Sequence, residues 1–178
     1  MALALSGTSN GSLNNLSLTT NTGTVVDTSV NPFLAYDTWY LTADDTTAGS
    51  HQVDGWTRNT TSGITQIGSA MSESSSVWTF PTTGYWQIIW KPFFSCSGTD
   101  QIQTQISITT DNLSTNTTIG SLIATGRIGD GYLSYLFDVE DTSTHKFRFT
   151  AASIGSGSSL KGGNAGYTTA IFIKMGET

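Results

Sequence analysis

The sequence predicts an all-β, jelly-roll β-sandwich preceded by an extended N-terminal arm. Three observations predict it. Ser and Thr fill 54 of 178 positions and Gly adds 19, the mixture expected where many short strands are joined by tight turns. Apolar and polar residues alternate along runs of roughly six to eight residues separated by turn signals. No segment keeps a helical period for three turns.

Composition narrows the function classes. Only 11% of residues are charged and the net charge is −6. The seven basic residues are scattered from Arg58 to Lys174, so the clustered cations that phosphate backbones need are missing and nucleic acid is not an expected partner. No apolar run reaches the ~18 residues of a membrane span. The opening MALALSGTSNGS has no basic region and too short an apolar stretch for a signal peptide. Cys96 is the one cysteine, which excludes an intrachain disulfide and a cysteine metal cluster and favours synthesis in a reducing cytoplasm.

Residues 1–33 hold no aromatic before Phe33. Short alternations of Leu3 and Leu5, then Leu13, Leu16 and Leu18, suit an arm that gains order from a partner. These leucines are the candidate anchoring residues, and 34–178 is the expected folded domain. The first strand runs from Ala35 to Thr42, and strand-like pieces follow near Val53–Arg58 and Ile64–Ile67. Val77–Phe80 is a short strand stopped by Pro81 and turned by Thr82-Thr83-Gly84.

Tyr85–Ser95 reads YWQIIWKPFFS, apolar on both parities. Trp86, Ile88, Trp90 and Phe94 share one side; Tyr85, Ile89 and Phe93 share the other. Such a strand is expected to be covered on both faces, one by the core and one by another subunit. Pro92 predicts a bulge or edge position. Further along, Ile102, Thr104, Ile106 and Ile108 alternate with Gln101, Gln103, Gln105 and Ser107, which sets the isoleucines inward. Ile119–Thr125 follows, then a turn at Gly126–Gly131. Leu133, Tyr135, Phe137 and Val139 form the inner side of the next strand. Phe147 and Phe149 point inward from His145–Ala152. A glycine-serine loop spans Gly155–Gly166, and Tyr167–Met175 is the last strand.

Few constellations point to chemistry. His51 and His145 are the two histidines, and no Gly-x-Ser-x-Gly elbow joins a strand to a helix. Gly126-Arg127-Ile128-Gly129-Asp130-Gly131 precedes no helix and so lacks the recipe for a phosphate cradle. Asp44, Asp45 and Asp54, and separately Asp138, Glu140 and Asp141, are carboxylate groups that solvated loops explain. No calcium-loop pattern accompanies them, so no metal or cofactor is expected. An enzyme is not expected. The five tryptophans look too many for one small core, so some are expected between subunits. Trp56, in a loop-like setting beside Asp54, is the candidate ligand contact.

Phe80-Pro81-Thr82-Thr83-Gly84-Tyr85-Trp86-Gln87-Ile88 and the closing Gly166–Ile173 resemble the globular head of the complement first component, a family related in fold to tumour necrosis factor. The opening MALALSGT, Tyr36–Thr42, the Phe80–Gly84 turn and the ending Phe172–Thr178 resemble small structural proteins of tailed marine bacteriophages. The resemblance implies a trimeric jelly roll on the virion surface, a fibre, knob or head decoration protein made in the host cytoplasm. It would be held by residues 1–33 to other capsid or tail proteins, and the outer loops near 43–62, 96–100, 126–131 and 155–166 would face a host receptor or glycan. The expected trimer contacts are Tyr85, Trp86, Ile88, Trp90, Phe93 and Phe172. The chain departs from the animal proteins in having no collagen-like stalk. A stand-alone carbohydrate-binding lectin domain is the alternative, and it needs an exposed Trp or Tyr beside Asp and Asn.

Overall fold

A computed structural model describes residues 34–178 other than residue 65. Within them alternation becomes a series of antiparallel strands: β1 (Ala35–Leu41), β2 (His51–Gln52), β3 (Trp56–Arg58), β4 (Ser72–Ser74), β5 (Val77–Thr79), β6 (Gly84–Lys91), β7 (Phe93–Ser95), β8 (Gln101–Thr109), β9 (Thr117–Thr125), β10 (Ile128–Asp130), β11 (Leu133–Val139), β12 (Lys146–Ile154), β13 (Ser159–Leu160) and β14 (Thr169–Gly176). One sheet has the order β11-β6-β14-β1-β3, the opposing one β4-β5-β12-β8-β9 with β2 beside β12, and a small third sheet has the order β10-β7-β13.

Pro92 separates β6 from β7, as its missing amide hydrogen predicts. Two expectations change. The Gly126–Gly131 turn contains β10, which pairs with β7, and the Gly155–Gly166 loop contains β13, which pairs with the other edge of β7. Isolated two- and three-residue strands carry too short an alternation to register in sequence.

Register gives the domain two distinct ends. Leu41, Lys91, Leu133, Gln101, Thr125 and Ile154 close strands at one end, and the loops 42–55, 96–100, 126–132 and 155–168 leave from there. Ala35 pairs with Lys174 at the other end, so residue 34 and the chain's last residues lie together, away from those loops.

The interior is aromatic. Trp78 is fully buried and its ring centroid lies 5.1 Å from Trp39, 5.7 Å from Trp56 and 4.9 Å from Phe172, with Phe147 stacked at 5.7 Å. Trp56, Trp86 and Trp90 are buried in the same core, and Trp39 packs against it. One sandwich therefore accommodates all five tryptophans, contrary to the expectation that some would be left for neighbouring subunits. Edge-on and tilted ring packing explains the fit, because aromatic rings interlock without leaving voids.

A buried charge ties the sheet to its edge. Asp37 on β1 accepts hydrogen bonds from Arg58 Nε at 2.9 Å, Trp39 Nε1 at 2.9 Å and the Met71 amide at 2.9 Å. Removing the carboxylate strands these donors, and breaking a buried, hydrogen-bonded pair costs about 3 kcal/mol. Asp37→Ala is expected to lower the free energy of unfolding by about that amount in urea titration; a loss below ~1 kcal/mol would show the network to be dispensable.

Candidate functional site

Strand parity divides the five-stranded sheet into two faces. Trp86, Ile88 and Trp90 of β6, Ala170 and Phe172 of β14, and Phe137 of β11 point into the sandwich and are buried. The opposite parity points away from it, and there the residues are also largely apolar. Cross-strand pairing sets them in rows: Leu136, Gln87, Ile173 and Tyr36 lie side by side across four strands, and Ser134, Ile89, Ile171 and Thr38 form the next row. Lys91, Thr169 and Tyr40 make a third toward the loop end. Tyr85 and Asp138 make the last, at the end where residue 34 enters.

Cross-strand neighbours on one face stand ~5 Å apart, so these rows form a continuous surface. Its charged members are Lys91 and Asp138, one at each end. Tyr85 is 40% exposed, Leu136 64% and Met175 52%, while Ile89, Ile171, Ile173, Tyr36 and Tyr40 are half-buried by one another. The central polar residue, Gln87, is engaged: its Nε2 donates to Ser134 Oγ at 3.0 Å.

Further exposed apolar residues lie on or beside β9, β10 and β11, each of which ends its sheet. Ile128 is 72% exposed, Tyr132 59% and Ile123 53%. Tyr135 bridges the two main sheets and lies against Gly120, where a Cβ would collide with the tyrosine ring. Gly120 is thus needed for the close approach of β9 to β11.

The structure corrects four of the expected subunit contacts. Trp86, Ile88, Trp90 and Phe172 are fully buried inside the sandwich and have no surface for another chain. Alternation told them apart from Tyr85 and Ile89 but not which group faces inward. Tyr85 does face outward, and so does half-buried Phe93, whose ring lies 5.1 Å from exposed Tyr167. Leu3, Leu5, Leu13, Leu16 and Leu18 lie outside the described residues. Sequence reasoning missed Leu136, Ile171, Ile173, Met175 and Tyr36. The signal was present: each is an apolar residue at the polar parity of a strand whose other parity already supplies the core.

The candidate ligand residues are not brought together. Trp56 is buried, its Nε1 donating to the Val53 carbonyl at 3.1 Å and its ring packed 5.3 Å from Phe149. It therefore cannot offer a face to a ligand, and the lectin reading loses its aromatic platform. Asp54 is exposed and lines a pocket of about 170 Å³ with Leu41, Thr42, Asp44, Asp45 and Thr47. The neighbouring carboxylates are already paired: Asp45 Oδ2 meets His51 Nε2 at 2.7 Å, and Asp44 pairs with Lys161 and accepts from the Gly162 amide at 2.9 Å. Desolvation raises the Asp44 pKa, but Lys161 and the amide outweigh it and hold the group below the usual carboxylate value. Among the described residues no three His, Cys, Asp or Glu side chains are grouped to hold a metal ion.

No protein-family model matches the sequence, and no curated protein does. Solved structures share the fold. Murine APRIL at pH 8.5 superposes with a TM-score of 0.59 at 11% identity, covering 79% of this chain and 98% of that one. Eiger TNF from S. frugiperda superposes with a TM-score of 0.62 at 10% identity, covering 83% of this chain and 96% of that one. The domain is a tumour necrosis factor-like jelly roll.

Proposed function

We propose that this chain is the subunit of a homotrimer, a binding or structural module and not an enzyme, and that it associates through the outward face of the five-stranded sheet. The observation that carries this reading is the face itself: four strands wide, uncharged and isoleucine-rich through its centre, with charge only at its ends. Subunit interfaces are depleted of charge at their cores in the same way. The exposed apolar residues of β9, β10 and the start of β11 are the complementary half. A face and an edge are different surfaces, so contact between them is head-to-tail, and such contacts form a ring when the rotation between copies closes. A ring of three is the assembly implied by the family resemblance.

Within that reading the trimer is a virion surface protein of a tailed bacteriophage, made in the host cytoplasm and held to capsid or tail proteins by residues 1–33. Support comes from the phage-like opening, Phe80–Gly84 turn and ending, and from the two-ended domain. Residue 34 enters opposite the four long loops, which leaves the loops free for a host receptor or glycan. Neither nucleic acid nor a membrane is a partner in this reading. Deleting residues 2–30 is expected to remove the protein from particles while leaving a folded domain of unchanged β content. Retention of the truncated chain on purified particles would overturn the anchoring role.

A further inference from the structure

Parity along β14 sets Ala170, Phe172 and Lys174 toward the interior, and Lys174 is the one that carries a charge. It is 5% exposed and pairs with buried Trp86 of β6 on one side and buried Ala35 of β1 on the other. Gly84 makes room for it: a Cβ there would collide with Lys174 Cε and with the Gly176 carbonyl oxygen. A buried ammonium is costly unless an acceptor meets it. The acceptor comes from just beyond the strand, after the register with β6 shifts between Lys174 and Gly176. Lys174 Nζ donates to Glu177 Oε2 at 2.6 Å.

The two partners differ sharply in burial. The Lys174 side chain is 7% exposed and that of Glu177 68%, and Met175 and Thr178 are exposed as well. A pair with one partner in water is held weakly, and a lysine stem is long enough to carry its head outward when the partner leaves. We propose that residues 175–178 act as a strap across this end of the sandwich, fastened by Glu177 on Lys174, and that the strap opens and closes while the domain stays folded. Local openings of this kind cost far less than global unfolding. The Leu34 amide donates to the Lys174 carbonyl at 3.2 Å, so the strap lies beside the point where residues 1–33 join the domain. Opened, it presents a cation at that point. Closed, it keeps the ammonium beside Trp86. The device belongs to a single copy and does not depend on the trimer.

The test is acetylation of the folded full chain by acetic anhydride, read at each lysine by mass spectrometry. Lys91, exposed on β6, is the internal reference. In the unmodified chain Lys174 is expected to react roughly tenfold or more slowly than Lys91, as a group reached only through local opening. Glu177→Gln and Glu177→Asp should both bring its rate to within about twofold of Lys91, with Lys146 and Lys161 unchanged. The aspartate keeps the charge but is too short to fasten the strap. A rise in Glu177→Gln alone overturns the proposal, because the lost charge then acts on the amine directly. Reaction of Lys174 at the rate of Lys91 in the unmodified chain overturns it too, as does a Lys174 rate that neither substitution changes. A rise at Lys146 and Lys161 together with Lys174 also overturns it, since the pair would then hold the whole domain and not a strap.

Discussion

Leu136→Asp is expected to convert the assembly into a folded monomer. The unmodified chain should scatter light as a particle of about 57 kDa, three times its 18.9 kDa subunit mass. Leu136 is among the most exposed large apolar residues, so replacing it should change the stability of the isolated domain by no more than ~0.5 kcal/mol. Within an interface the same change is severe. An unpaired carboxylate held against apolar surface loses its hydration, at a cost of several kcal/mol per contact. About 3 kcal/mol corresponds to roughly a hundredfold in the association constant at each contact. Ser74→Asp, exposed on β4 at the edge of its sheet opposite β9 and paired with Val77, is the matched control and should leave the mass unchanged. Light scattering that gives a monomer for the unmodified chain, or a trimer for Leu136→Asp, would remove the face from consideration.

The other large effect lies in the core. Trp78→Ala is expected to destabilise the domain by about 3–5 kcal/mol. Its indole touches rings from both main sheets, Trp39 and Phe172 on one side and Phe147 and Phe149 on the other. The surrounding rings cannot collapse into the void, because each is held by further aromatic neighbours such as Phe147 against Phe149 at 5.4 Å. Domains of this size are stable by ~5–15 kcal/mol in total, so a fall in melting temperature of roughly 10 °C or more should follow. Calorimetry showing a loss under ~1 kcal/mol would mean that the tryptophan cluster is loosely packed and that the sandwich draws its stability elsewhere.

Much of the fold is legible in particular residues. The isoleucines of β8 alternate against glutamines, and Ile102 and Ile106 are fully buried as alternation requires. Phe147 and Phe149 point inward while Arg148 points out. Other features were hidden for physical reasons. Trp56 reads as a loop residue because β3 is three residues long, and its burial depends on Trp78 and Phe149, distant in sequence. β10 and β13 exist because β7 offers them a partner, not because their own residues favour strands.

The outward face shows the division most clearly. Alternation by itself determined that β6 carries two apolar sides and that Trp86, Ile88 and Trp90 belong to one of them. It also placed Tyr85 and Ile89 on the other. Which side meets the opposing sheet depends on the twist and register of β11, β14 and β1, because parity has no sign until a second layer is packed against it. The tertiary structure decided it: the tryptophans fill the sandwich, and the outward side joins Leu136, Ile171, Ile173 and Tyr36 into one surface. Only packing could reveal the buried ammonium of Lys174, since burial and lost hydration are properties of neighbours brought together by folding.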